Sequence, residues 1–385
     1  MELLNLKPLN RLKVTILFVS TFVLRLSQIG FAQESKGRIR GFEASVFSGY
    51  HFASNGINKT GESLNGIPVG LSLNWVQYGI QKKAFTDVFG DPRLNLELKI
   101  TKLNNTDTFG YSLAVLPGYT YNLVQNKRVI LGAKVSYGLN LNTKQYSHAS
   151  NFDNRAISSP INFALDFGLN LSYNLNAYTH LTAGTGLYHV SNGSLKMPNG
   201  GINILYAQLG MTYYPMGLAY SQIKRPTYTG KSKSIYYQVY GAYAYRQIGY
   251  FNYINSFSIA SLSNQVYFSF NKLYSTGLGL DAFYDASQAL LYDSQKNYSE
   301  VPENQKYLIA LGWCNRFEAG NFFFPLSLNH YIYPMKVIKE PVYIKFGLGY
   351  QLNKSLFTGL FFKGTLNNKK QLQSDFMEWS LGFRI

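Results

Sequence analysis

The chain is expected to be all-β, a transmembrane antiparallel β-barrel of about 14 to 16 strands. Alternation is the first observation behind this: Leu131, Ala133, Val135, Tyr137 and Leu139 alternate with Gly132, Lys134, Ser136 and Gly138. Ile161 to Leu171 repeats the pattern, and so does Val342 to Tyr350 in the other half of the chain. Successive side chains on a strand point to opposite faces, so each segment has one apolar face. Composition is the second: 16% of the residues are aromatic and only 14% charged, where a soluble domain carries about 25% charged residues. A barrel with an apolar outer band, aromatic rims and Gly- or Asn-containing turns has this bias.

The N-terminal residues 1–32 read as a secretory signal peptide. Lys7, Arg11 and Lys13 precede an apolar run from Val14 to Leu24, and Gly30-Phe31-Ala32 supplies small residues for cleavage. The mature barrel is then expected over residues 33–385. Strands are expected near 38–50, 67–79, 94–103, 109–122, 128–141, 159–174, 178–191 and 203–215. A second set falls near 234–248, 254–270, 273–286, 304–317, 321–333, 341–351, 354–364 and 375–385. Tight turns at Asn126-Lys127, Asn176-Ala177, Asn271-Lys272 and Asn353-Lys354 mark one end. Long loops at 51–66, 142–158, 192–202, 287–303 and 365–374 mark the other, expected to be extracellular. Asp166, in the middle of an apolar-faced strand, must point into a polar lumen. Tyr243, Arg246 and Lys345 are given the same lumen orientation.

Residues 80–93 and the basic stretch 216–233 interrupt this regularity, so two eight-stranded barrels in tandem are conceivable. One barrel is preferred, because the other turns are uniform and a single closed sheet leaves no edge. Such a barrel is wide enough for an aqueous channel, the basis of a non-catalytic structural or transport alternative, unless Tyr243, Arg246 and Lys345 fill it.

Formal charge is +17, and the segment beyond residue 32 holds 32 basic against 18 acidic residues. An exported basic barrel would meet anionic lipid rather than nucleic acid, although Lys and Arg that decorate loops and lumen explain the balance equally well. The lone Cys314 excludes an internal disulfide framework and cysteine-rich metal sites.

The chemistry-bearing segment is His189-Val190-Ser191-Asn192-Gly193, followed by Asn203. His189 and Ser191 lie two apart on a strand and therefore share a face, the apolar one that carries Leu181 and Leu187. The returning strand places Asn203 on the same face as Leu205, Leu209 and Met211. Antiparallel pairing sets the end of one strand opposite the start of the next, so the three side chains should converge on a lipid-facing surface. A hydroxyl beside an imidazole is the minimum for an activated nucleophile. Ser191 then reads as the nucleophile, His189 as its base and Asn203 as the group that orients the imidazole, the alternative being a polar interfacial girdle. The backbone amides of Asn192 and Gly193 are the nearest oxyanion donors. Lys196, Arg155 and Lys144 fall in the expected extracellular loops, either to pair with lipid phosphates or as solvated loop charges. His330 shares an apolar face but has Ile332 two residues on, and His51 is offset by three from Ser54, so neither forms a comparable pair.

Residues 189–203 resemble the signature of the lipid A 3-O-deacylase family, which includes acyloxyacyl hydrolases. The resemblance extends more loosely over residues 70–215, through Gly90-Asp91-Pro92-Arg93 and Asn154 to Ser159. The segments Leu278 to Asp285 and Asp375 to Trp379 look like the C-terminal extension of its long members. It implies a deacylase-like half at 33–215 and a barrel extension at 234–385, with Ser191 attacking an ester of lipid A. It also implies that a glutamate orients the histidine, a place held here by Asn203, whose carbonyl oxygen can still accept the imidazole N–H. Outer-membrane phospholipase A is similar in its His-x-Ser-Asn-Gly segment and its asparagine. Lipid A or a phospholipid is thus the implied partner. No cofactor is expected, and no metal, since Ser194 stands where the calcium-assisted phospholipases have an arginine.

Overall fold

A computed structural model describes residues 38–52, 67–79, 90–225, 234–250, 253–288, 303–333, 341–366 and 372–385. The signal peptide and most of the loops at 51–66 and 287–303 lie outside the described residues, as do most of 80–93 and the middle of 365–374.

Sixteen strands are described. In the N-terminal half they are β1 (Ile39–Phe52), β2 (Val69–Tyr78), β3 (Arg93–Lys102), β4 (Tyr111–Gln125), β5 (Val129–Asn142), β6 (Ile161–Asn174), β7 (Thr179–Ser191) and β8 (Ile202–Tyr213). The C-terminal half contributes β9 (Ser234–Tyr250), β10 (Tyr253–Ser269), β11 (Tyr274–Asp285), β12 (Tyr307–Ala319), β13 (Phe322–Tyr333), β14 (Val342–Gln351), β15 (Leu356–Leu366) and β16 (Leu372–Arg384).

Closure corrects the expectation of a single barrel, because the sheet closes twice. β8 returns to β1 in a register running from Phe42 opposite Tyr213 to Phe52 opposite Asn203. Independently, β16 pairs with β9 from Glu378 opposite Ala244 to Arg384 opposite Gln238. The protein is therefore two closed antiparallel barrels of eight strands each. Alternation within strands is the same for either closure; what differs is which distant strand satisfies the open edge of β1. The turns do form as their sequences require, with the Asn126, Asn176, Asn271 and Asn353 side-chain carbonyls each accepting two backbone N–H groups of the turn.

An eight-stranded barrel is just wide enough to be filled by its own side chains, and both interiors are filled. Side chains, rather than a wide aqueous channel, occupy the lumens. In the first, Asp166 accepts from Lys99 Nζ at 2.6 Å, Lys134 Nζ at 3.2 Å and the Tyr206 hydroxyl at 2.7 Å. Glu97 holds Lys134 at 2.9 Å and Ser72 at 2.6 Å. In the second, Lys345 bridges Asp281 and Glu378, each at 3.0 Å. Arg316 lies fully buried over the Phe323 ring and donates to Glu318 and Gln238. Charges buried in this way are tolerated because each has a partner. Arg246 and Lys345 point inward as expected, whereas Tyr243 is 54% exposed on the outer wall; positions 243 and 246 differ in parity and cannot share a face.

The basic connection between the halves is structured where described. Tyr214, Leu218, Tyr220 and Ile223 are buried with Val76, Tyr78 and Ile130, at the tight-turn end of the first barrel. The Tyr220 hydroxyl meets Ser172 at 2.9 Å and His180 at 3.1 Å. The opposite end is sealed by an apolar cluster that includes Phe47, Phe109, Ile157, Tyr188, Val190, Ile202 and Ile204.

Candidate active site

Burial along β7 follows parity. His180, Thr182, Tyr188 and Val190 are buried inside, while Leu181 and Thr185 are exposed outside and Leu187 and His189 half-buried on that same outer face. On β8, Asn203 shares its face with the exposed Leu205, Ala207 and Leu209. Register sets His189 directly opposite Asn203, and His189 Nδ1 lies 2.7 Å from Asn203 Oδ1. A carboxamide oxygen can only accept, so Nδ1 carries the proton and Nε2 keeps its lone pair.

Ser191 ends β7, two residues beyond His189 and opposite Phe163 of β6. It belongs to the outer face by parity, yet only 7% of it is exposed. Simple exposure to lipid was the expectation; instead the loop that follows covers the serine. Gly193 turns back with φ of 64°, and its N–H points at Ser191 Oγ from 3.4 Å. Gly201, with φ of 72°, closes the loop against the site: a Cβ there would meet His189 Cε1 at 3.1 Å and Ser191 Cβ at 3.6 Å. Both glycines occupy the left-handed region that a side chain disfavours.

The two amides proposed as oxyanion donors differ in their surroundings. Gly193 N–H is directed at the serine, whereas Asn192 N–H donates to Asn199 Oδ1 at 3.1 Å. The Asn192 side chain acts as a clamp: 2% exposed, it donates to Ser158, Ser159 and the Lys196 carbonyl. Asn154, fully buried, donates to the Thr108 and Lys144 carbonyls and accepts from Ile157 N–H. Gly200 and Gly201 donate to the carbonyls of Arg155 and Ala156. These bonds lace the loop after Ser191 to residues 154–159. Asn154, Ser158 and Gly201 lie in the segments that carry the family resemblance, but the sequence assigned them no role in the site.

Lys144 and Lys196 are exposed in these two loops. Arg155 is half-buried, with its guanidinium 5.1 Å from the Phe152 ring centre. Among the described residues no cluster of His, Cys, Asp or Glu has the makings of a metal site.

Fold and site together define a tandem β-barrel protein with a serine, a histidine and an asparagine grouped on the outer wall of its first barrel. Residues 69–212 match the family described as Lipid A 3-O-deacylase (PagL), and residues 233–385 match that described as Acyloxyacyl hydrolase, C-terminal domain. The chain belongs to this lipid A 3-O-deacylase family, as a member carrying the C-terminal domain.

No curated protein matches the chain. Among solved structures, the Pseudomonas putida toluene transporter TodX is similar at 11% identity, covering 92% of this chain and 90% of its own, with a TM-score of 0.19. The Ralstonia pickettii toluene transporter TbuX is similar at 9% identity, with coverage of 90% and 89% and a TM-score of 0.19. A mutant porin of Rh. blastica is similar at 10% identity, with coverage of 90% and 100% and a TM-score of 0.18.

Proposed function

We propose that the protein is an outer-membrane serine esterase that removes an ester-linked acyl chain from lipid A, with its site at the extracellular rim. One observation carries the reading: an imidazole held by a carboxamide at 2.7 Å, two residues from a serine whose Oγ faces a backbone N–H, on the outer wall. Membership of a family named for lipid A deacylation supports the substrate. Insertion in a membrane is supported by the outer walls, where Val46, Leu209, Leu278 and Trp379 are all more than 60% exposed. Apolar surface on that scale is unfavourable in water and suited to lipid.

The chemistry follows from the atoms. Ser191 Oγ attacks the ester carbonyl while His189 Nε2 takes its proton, and Asn203 holds the imidazolium in place through Nδ1. Gly193 N–H, directed at Ser191 Oγ, is the proposed backbone donor for the oxyanion that develops on the bound ester carbonyl. Collapse returns the proton from His189 to the departing sugar oxygen and leaves Ser191 acylated. Water activated by His189 then releases the fatty acid and restores the hydroxyl. Lipid substrate reaches such a site by lateral diffusion, so no water-filled entrance is required. Lys196, Arg155 and Lys144, in the two loops laced together beside the site, are the cations proposed to receive lipid A phosphates.

Purified wild-type protein and Ser191→Ala should be incubated with lipid A and with glycerophospholipid, and the products weighed by mass spectrometry. Loss of a hydroxyacyl chain from lipid A is expected, reduced at least about a thousandfold in the variant. Lysophospholipid as the sole product would move the substrate to the phospholipase class, and unchanged turnover in the variant would remove Ser191 from the mechanism.

A further inference from the structure

Outward-facing apolar residues on most strands are openly exposed, as at Leu209 and Leu278. β14 and β15 differ: Val342, Ile344, Phe346, Leu348, Leu360 and Phe362 are all only half-buried or less open than those neighbours, and on β16 the outward Met377 is 3% exposed. The first barrel covers part of this wall. The Phe362 ring lies edge-on to Tyr137 and to Phe163, each at 6.3 Å, and those two stack on one another at 6.1 Å. Phe163 is the strand partner of Ser191. A Cβ on Gly193 would meet Met377 Cβ at 3.1 Å and Phe362 Cε1 at 3.7 Å. Gln247 of β9 fastens the site loop on two sides, donating its N–H to Ser194 O at 2.9 Å and accepting from Met197 N–H at 3.1 Å.

We infer that the seam between the barrels is the acyl-chain site of the esterase, with Phe362 and Met377 of the C-terminal barrel forming one wall and Tyr137 and Phe163 the other. This rests on the hydrolase reading above and adds the role of the second barrel. An ester bound at Ser191 has a polar arm and a hydrocarbon arm. Loops carrying Lys144, Arg155 and Lys196 suit the polar arm. The hydrocarbon arm needs an apolar surface that begins at the nucleophile, and the Phe163 and Phe362 pair begins one strand position away. Half-buried rings leave surface for a chain to cover, which fully packed rings would not. The second barrel is then a specificity element: it measures the acyl chain and leaves the proton transfers to the first.

The test uses the full-length protein in detergent with p-nitrophenyl butanoate and hexadecanoate. Phe362→Ala should lower kcat/KM for the long ester about tenfold, equivalent to about 1.4 kcal/mol, mainly through KM, and leave the short ester unchanged. Phe362→Leu should restore most of the loss. An equal change on both esters, or none on the long one, would overturn the assignment. Photolabelling of Ser191→Ala with a diazirine-bearing hexadecanoyl ester gives a readout independent of turnover. Label on β15 and β16, displaced by unlabelled ester, supports the seam; label confined to β1–β8 overturns it. If neither ester is hydrolysed by wild type while the label still marks the seam, the hydrolase reading fails and the acyl site stands.

Discussion

Gly201→Ala isolates the positioning of the proposed catalytic pair from its chemistry, because the substitution removes neither functional group. An alanine at φ of 72° costs about 1 kcal/mol in backbone strain. Its Cβ would sit 3.1 Å from His189 Cε1 and 3.2 Å from the Val190 carbonyl, so the imidazole must yield by a few tenths of an ångström. The ring is tethered to Asn203 at 2.7 Å on its other nitrogen, so it can yield only by tilting. Tilting swings Nε2 relative to Ser191. Misplacement of reacting groups by about 1 Å can cost a hundredfold, so kcat should fall by about tenfold to a hundredfold while the unfolding temperature drops only a few degrees. Steady-state hydrolysis of a chromogenic ester, with thermal unfolding followed in parallel, reads both quantities. If kcat stays within about twofold of wild type, the wall formed by Gly201 does not set the geometry of His189, and the mechanism loses its support on that side.

Asn203→Leu removes the acceptor of the His189 N–H, so kcat should fall by at least about a hundredfold with KM little changed. Asn203→Glu, which restores an acceptor, should recover most of it; equal loss in both variants on steady-state assay would mean that Asn203 serves only to pack. Asp166→Ala strips two buried ammonium groups of a shared partner. Breaking such a network costs about 3–5 kcal/mol, visible as a lower denaturation midpoint with activity per folded molecule retained. A midpoint equal to wild type would show that Lys99 and Lys134 are adequately held by Glu97 alone.

Much of the site was legible in the sequence because parity is a local property. His189, Ser191 and Asn203 share a face wherever a strand, a loop and a return strand occupy residues 179–213, and the observed register sets His189 against Asn203. Asp166 was readable on the same ground, as a charge that alternation alone sends inward. Tyr243 stands on the outer wall because its position differs in parity from that of the inward Arg246. The roles of Asn154, Asn192 and Ser158 were not readable, because they hold together loops that are far apart along the chain.

Alternation, turn chemistry and composition determined by themselves that the chain forms about 14 to 16 strands with an apolar outside and a polar inside, and which side chains of a strand share a face. Tertiary structure alone decided how many barrels those strands make and what shelters Ser191. Each strand carries the same pattern whichever partner it finds, so closure depends on which distant edge completes the backbone hydrogen bonds of β1 and β9. The cover over the serine likewise comes from the loop at Gly193 and Gly201, and Gly193 in turn lies against Met377 and Phe362 of the second barrel.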